Sequence, residues 1–466
     1  MIVSDTKFAP DLSAAGRSKY KALAQALRDA IISGQLSAGE QLPPVRDLAY
    51  RVGVTPGTVA RAYALLTEEG RLATHVGRGT FVAEIADRPP VNPDSLIFHI
   101  DDATADFRSS RVPDVGQGRI IDAELVKIGQ SHFRRHINYP TAETDLSARD
   151  AVAGWIDPVR LGPLTANDIV LGNGAQNCCL LALQAILHGA HPVILTEELS
   201  YPGVRHAGQL LRAKVVGVAM DEEGIIPEAL EAAFRTHGGQ VLLTAPEVHS
   251  PTTIKTNLAR KQAIAAVTEK LGIVVIEDDC HTTAGSDVPS YRMLTGGKSY
   301  FVSSLTKSIS GALRFGYMVS PKGQEDNLRQ VAQSSFYGVS QPITDLAEAL
   351  IRSGAAHDIR AKVLKATEDR VRMAVNTLGA WDIKWRVDAP FVWLQMPNGW
   401  RASSFAMACE KKQIMVRPAD EFALADGKTP NAVRLGVNTC ANPDLYAQAL
   451  SEMNILLGNP ARIMMS

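Results

Sequence analysis

From residue 106 onward, short β-branched apolar runs alternate with helical patterns, and this alternation limits the fold more than any other feature. The runs are PVIL at 192–195, VVGV at 215–218, VLLT at 241–244, IVVI at 273–276 and FVSS at 301–304. Strands separated by helices pair side by side rather than through tight turns. They imply a mostly parallel sheet with helices on both faces. In such sheets ligands sit beyond the carboxyl ends of the strands. Chemistry is therefore expected just after these runs.

Three motifs lie there. Gly172-Asn173-Gly174-Ala175-Gln176-Asn177 opens a helix, and glycine turns before helices bring free N–H groups and the helix dipole to an anion. Such turns are also common without any ligand. Ile276-Glu277-Asp278-Asp279-Cys280-His281 ends an apolar strand, where two adjacent carboxylates must be hydrated, metal-bound or paired with a cation. Ser303-Ser304-Leu305-Thr306-Lys307-Ser308 is followed by Gly311, Arg314, Gly316 and Tyr317. Lys307 is either a surface loop residue or, if desolvated, a nucleophilic amine. The order of phosphate turn, carboxylate, lysine and arginine is what pyridoxal 5′-phosphate needs. A lysine forms the Schiff base, a carboxylate keeps the pyridine nitrogen protonated, and helix terminus, hydroxyls and arginine hold the phosphate.

Residues 18–83 read as three helices and a hairpin. Tyr20, Leu23, Leu27 and Ile31 make one apolar stripe, and Gly34 suits a C-cap. Val45, Leu48, Ala49 and Val52 follow Pro43-Pro44. Thr55-Pro56 opens the third helix, whose inner stripe is Val59, Tyr63 (or Ala62) and Leu66. Thr58 and Arg61 then face out. A hairpin with Arg78 at its glycine-rich tip completes a winged helix-turn-helix pattern. Residues 17–83 hold nine basic and five acidic residues, while the chain's 48 Lys plus Arg nearly balance its 49 Asp plus Glu. Positive charge is thus local, as phosphate contacts require. A charged helical bundle is the alternative.

The chain of 466 residues allows two or three domains, and 45% hydrophobic with 21% charged residues excludes a disordered, collagen-like or disulfide-scaffold protein. Cysteines at 178, 179, 280, 409 and 440 form no CxxC pair, so a metal site or disulfide framework is not expected. No signal peptide pattern opens the chain, and the apolar stretches LLALQAIL and LGIVVI fall short of the ~20 residues that span a bilayer. A cytoplasmic protein without membrane contact is expected. Residues 84–105, rich in Pro and Asp, read either as a spacer or as a segment packed on the next domain through Leu96-Ile97-Phe98.

The string GQLSAGEQLPPVRDLAYRVGVTPGTVARAYALLTEEGRLATHVGRGTFV resembles the GntR-type winged helix over its whole length. Residues 106 to about 455 resemble the fold-type I aminotransferases. Together they resemble the MocR group of bacterial regulators. The resemblance implies a 1–83 DNA-binding domain, an 84–105 linker and a 106–466 effector domain. The latter would be α/β with a mixed, mostly parallel sheet and a smaller C-terminal α+β subdomain.

By that resemblance Arg46, Thr55, Thr58 and Arg61 contact a double-stranded DNA operator, and Arg78 reaches its minor groove. Lys307 is the Schiff-base lysine. Ser304, Arg314, Gly174, Ala175 and Gln176 serve the phosphate, Asp278 pairs with the pyridine nitrogen and Tyr201 stacks on the ring. Tyr139 would reach the phosphate in a partner subunit of a homodimer. Arg434 would grip an effector's acid group. His281 could bond the ring hydroxyl.

Two departures stand out. Cys280-His281 replaces the usual tyrosine, and Ser250 replaces an asparagine that tunes the phenolate. Both weaken efficient transamination and leave Schiff-base exchange. The reading is a transcription factor sensing an amino acid or related amine by external aldimine formation at Lys307. The rivals are a working aminotransferase carrying a DNA-binding module, and a regulator whose pocket has lost the cofactor. Cys178, Cys179, Trp381, Trp385 and Trp393 are expected in cores, with His249 at the pocket.

Overall fold

The computed structural model describes residues 8, 10, 19–33, 35–37, 39–68, 71–75, 79–83, 104–131, 135–424, 429–438 and 442–459. Two compact units divide the chain, Met1–Ser95 and Leu96–Ser466. Among the described residues no helix is long and apolar enough to cross a membrane. Gly34, the wing tip with Arg78, linker residues 84–103 and Cys440 lie outside the described residues.

In the first unit, α1 (Lys19–Ile32), α2 (Val45–Arg51) and α3 (Pro56–Glu68) precede an antiparallel hairpin of β1 (Leu72–His75) and β2 (Gly79–Val82). The stripes read from the sequence meet in one core of Leu23, Leu27, Leu48, Val59, Ala62 and Leu66. Thr55 Oγ1 accepts from the Thr58 N–H at 3.3 Å, the bond expected of an N-cap hydroxyl. Tyr63 is buried in the same core and donates its hydroxyl to the Pro43 carbonyl at 2.9 Å. That bond ties α3 to the turn before α2.

The second unit begins with β3 (Ala105–Asp106). Then follow β4 (Ile169–Gly172), β5 (Val193–Glu197), β6 (Lys214–Val218), the short hairpin β7 (Met220–Asp221) and β8 (Gly224–Ile225), β9 (Val241–Thr244), β10 (Val274–Asp278), β11 (Tyr300–Ser304) and β12 (Gly316–Val319). Seven of them form one sheet in the order β4-β12-β11-β10-β9-β5-β6. Neighbours are parallel except at β12, which runs antiparallel to both β11 and β4. Successive residues of a strand point to opposite faces. Leu171, Phe301 and Tyr317 accordingly pack into one apolar cluster, and Val170, Val302 and Met318 into another. Cys178 and Cys179 are buried in the second.

The C-terminal part adds β13 (Ile383–Lys384), β14 (Phe391–Gln395), β15 (Ile414–Met415), β16 (Arg417–Pro418) and β17 (Ala432–Gly436). Four of these make an antiparallel sheet, β13-β14-β17-β16, while β15 pairs in parallel with β3. The first strand of the unit is therefore stitched to its C-terminal part. Trp393 is buried, and Trp381 packs against the C-terminal core with its indole N–H on Asn454 Oδ1 at 2.8 Å. Trp385 departs from expectation. It is 41% exposed, because it follows the two-residue edge strand β13, which has no partner on its outer side in that sheet.

Candidate functional site

The carboxyl ends of the parallel strands open into a cavity of about 290 Å³. Ala175, Gln176, Tyr201, Ser250, Asp278, His281, Ser304, Lys307, Arg314 and Arg434 all line it, from positions up to 259 residues apart in sequence. His249 lines it too.

One end is built for an anion. Gly174 (φ 86°) caps the helix Ala175–Ile186 in a conformation only glycine holds without strain. Arg314 donates through Nη2 to the Asn173 carbonyl at 3.0 Å, and a Cβ on Gly174 would sit 2.7 Å from that nitrogen. The guanidinium thus lies against bare backbone at the positive end of the helix. Beside it, Ser304 Oγ accepts from the Thr306 N–H, and Thr306 Oγ1 is buried with no hydrogen-bond partner. A buried orphan hydroxyl lining the same cavity as a guanidinium and a helix N-terminus suits a phosphate.

The adjacent aspartates part company. Asp279 accepts from Arg160 Nη1 at 2.6 Å, within a buried network in which Lys261 Nζ meets Glu247 at 2.6 Å and Glu277 at 3.2 Å. Asp278, on β10, instead faces the cavity and takes the Cys280 N–H at 3.1 Å. Of the options open to such a pair, Asp279 is cation-paired. Burial pushes Asp278 above the usual carboxylate range.

Lys307 is half-buried and its side chain lines the cavity. Burial lowers its pKa to about 8. It donates to the Ser110 carbonyl and lies 3.2 Å from Ser110 Oγ. The same hydroxyl is 3.1 Å from His281 Nε2. Burial also drives His281 well below the ordinary histidine value, so the ring is neutral near pH 7.

Tyr201 is half-buried, and burial raises its phenol to about 12. Its position depends on Gly203, where a Cβ would lie 2.2 Å from Gln176 Oε1 and 2.4 Å from Tyr201 Cε1. Gln176 in turn donates to the Gly203 carbonyl at 3.0 Å. Arg434, on β17, is buried and donates to Ser250 Oγ at 3.0 Å and to the Arg108 carbonyl.

Tyr139 does not line this cavity. It is 75% exposed and stacks on Tyr337 at 5.4 Å. In the first unit Arg46 and Arg61 are exposed, Arg61 resting over the Tyr20 ring at 4.5 Å, and the Thr55 and Thr58 hydroxyls lie 2.9 Å apart. Sequence reasoning passed over Ser110, Glu197 and Arg417, which also line the cavity. Glu197 ends β5, as Asp278 ends β10, a position that would have flagged it.

Residues 19–82 match the gntR family of bacterial regulatory proteins, and residues 112–451 match aminotransferase class I and II. The chain belongs to the MocR group of the GntR superfamily. This MocR-type chain is similar to the uncharacterized HTH-type transcriptional regulator YdeF of Bacillus subtilis (strain 168), at 24% identity over 92% of each chain. It is also similar to the HTH-type pyridoxine biosynthesis transcriptional regulator PdxR of Corynebacterium glutamicum, at 24% identity over 84% of each. Its fold is shared by LysN, an α-aminoadipate aminotransferase from Thermus thermophilus solved with N-(5'-phosphopyridoxyl)-L-leucine. That likeness has a TM-score of 0.68 at 20% identity, covering 77% of this chain and 93% of the other. The MocR-type chain is a transcriptional regulator whose second unit has the aminotransferase fold.

Proposed function

We propose that this regulator holds pyridoxal 5′-phosphate in its cavity and answers to a small amine or amino acid by changing its hold on operator DNA. The observation that carries this reading is the convergence of the Lys307 amine, Asp278 and the Gly174–Arg314 cradle on one cavity. The donor set fits the cofactor. The orphan Thr306 hydroxyl and the bare glycine backbone answer a phosphate, and Asp278 answers a protonated ring nitrogen. When bound, the cofactor supplies an aldehyde that condenses reversibly with primary amines.

The chain's own residues do the rest. Arg314, Ser304, Thr306 and the start of the helix Ala175–Ile186 hold the phosphate. Asp278 keeps its charge where a cationic nitrogen offsets its burial. Tyr201 would cover the ring, and His281 would serve its hydroxyl. Lys307 offers an amine whose pKa of about 8 leaves a usable neutral fraction at pH 7. Arg434 takes an acid group of the effector. Residues 84–105 join this domain to the winged helix, where Arg46, Thr55, Thr58, Arg61 and Arg78 meet the DNA. The working form is a homodimer, with Tyr139 directed to the partner's phosphate site.

An effector that competes with Lys307 and favours one arrangement of the dimer shifts the equilibrium by its differential affinity alone. The test is operator binding by the full cofactor-loaded chain, with and without a panel of amines. An amine should change DNA affinity about fivefold or more, the usual scale of such coupling, and Lys307→Ala should abolish the response. Turnover of amino acid with 2-oxo acid well above free cofactor would instead mark a working enzyme.

A further inference from the structure

The two residues that depart from the family pattern, Cys280 and His281, join Lys307 to Asp278 through an unbroken run of polar contacts. Lys307 Nζ lies 3.2 Å from Ser110 Oγ, and that oxygen lies 3.1 Å from His281 Nε2. On the other side of the ring, Nδ1 lies 3.5 Å from Cys280 Sγ. The thiol in turn hydrogen-bonds the Asp278 carboxylate. All five residues line the cavity. The His281 ring stands edge-on to Phe391, with centroids 5.4 Å apart and planes at 87°, which fixes its orientation.

The partners set the direction of every bond. A lysine ammonium only donates and a carboxylate only accepts. Burial holds the Cys280 thiol far above its ordinary value, so the sulfur keeps its hydrogen and gives it to Asp278. Sγ then accepts, which puts the His281 hydrogen on Nδ1 and leaves Nε2 bare to take the Ser110 hydroxyl. Ser110 Oγ, having donated, accepts from Lys307. Other charges face these groups: Arg314 and Arg434 act on Lys307, Glu197 on Asp278, and Arg434 and His249 on His281. Each is bonded elsewhere. Arg314 bonds Asn173, Arg434 bonds Ser250, Glu197 bonds Thr244 and His249 bonds Leu199. The run from Lys307 to Asp278 is therefore one-way.

Resting on the reading of Lys307 as the amine that meets the cofactor, we infer that Cys280 and His281 are positioning residues that relay to Asp278 the proton Lys307 must lose. Nζ gives a proton to Ser110 Oγ, and Ser110 passes its own to His281 Nε2. His281 releases the proton on Nδ1 to Cys280 Sγ, and the thiol proton goes to an Asp278 oxygen. Lys307 ends neutral and Asp278 protonated, while the three groups between keep their charge. Burial lowers the cost at both ends, since it pulls Lys307 down and pushes Asp278 up. The role given above to His281 at the ring hydroxyl uses the same Nδ1–H.

Nitrogen NMR of the full chain with isotope-labelled histidine, without added cofactor, reads the His281 tautomer, its signal assigned by comparison with His281→Asn. Hydrogen on Nδ1 supports the one-way run, and hydrogen on Nε2 overturns the inference. Stopped-flow capture of pyridoxal 5′-phosphate at neutral pH reads the relay itself. Cys280→Ala should slow capture about a hundredfold, the low end of what a placed proton-transfer group contributes, and Cys280→Ser should keep the rate within a few-fold. Imidazole buffer should restore Cys280→Ala in proportion to its concentration and leave the wild type unchanged, a rescue that a purely structural loss would not show. Capture by Cys280→Ala equal to the wild type, or slow capture that imidazole does not raise, overturns the inference. If Cys280→Ala does not fold, a wild-type rate that climbs with imidazole overturns it. A wild type that captures nothing overturns the cofactor reading and the relay's role with it, while the tautomer still decides the run of bonds.

Discussion

The amine of Lys307 is held by Ser110, whose carbonyl accepts a hydrogen bond from Nζ and whose hydroxyl lies 3.2 Å from it. Ser110 sits four residues beyond β3, the strand stitched to β15 in the C-terminal part. Its neighbours are engaged as well. Arg108 gives its carbonyl to Arg434, and the Arg111 carbonyl takes the Asn438 amide at 3.2 Å. A Cβ on Gly436 would lie 2.2 Å from the Ser109 carbonyl, so this segment passes directly over bare backbone. Lysine, histidine and arginine of the cavity therefore share one short stretch of chain.

Ser110→Ala removes a hydroxyl acceptor that favours the charged amine. One hydrogen bond of about 1 kcal/mol corresponds to a little over half a pKa unit. The midpoint for cofactor capture should fall by about half a pH unit, measured by stopped-flow growth of the visible band.

The pH dependence in the wild type has a definite sign. Burial holds the Lys307 amine at about 8 in the folded chain, below a free lysine. The amine is charged and unreactive below that pH and neutral above it. Capture should accelerate about tenfold from pH 6 to pH 7 and level off above 8. A rate flat across this range would contradict the assignment of Lys307.

Lys261 is fully buried between Glu247 and Glu277. Removing it leaves the two buried carboxylates with Arg160, 3.4 Å from each, as the cation they share. Lys261→Ala should destabilise the second unit by about 3–5 kcal/mol, read as a drop in its denaturant midpoint. Lys365→Ala, which loses an exposed pair on a helix surface, should change stability by well under 1 kcal/mol.

Arg46 and Arg61 are exposed on α2 and α3. Arg46→Ala, if it loses a phosphate contact, should weaken operator and random DNA alike and reduce the salt slope by about one. Arg61→Ala, if it loses a base contact, should cost about 1–3 kcal/mol on the operator only. Titrations at several salt concentrations distinguish the two.

The sequence was most legible where one local pattern carried the answer. Leu23, Leu27, Val59 and Leu66 form the first core because their spacing fixes one helix face each, and the apolar runs became parallel strands. The resemblance implied a mixed sheet but not which strand is antiparallel, since GYMV at 316–319 looks like any other short strand and the direction of β12 is set by packing between β11 and β4. The motif alone left Asp278 and Asp279 equivalent and only the resemblance singled out Asp278; the pleat separates them into a cavity group and an ion pair. Ser110 carried no local signal. Its meaning comes from Lys307, 197 positions away and brought close only by the fold.

The central claim is that Lys307 holds an aldehyde cofactor in this cavity. Visible absorption of the purified full chain with added pyridoxal 5′-phosphate, beside Lys307→Ala treated identically, tests it most directly. The account predicts a protein-bound band in the wild type that borohydride fixes to Lys307 and that the variant lacks. No such band, or an equal band in both proteins, would contradict it.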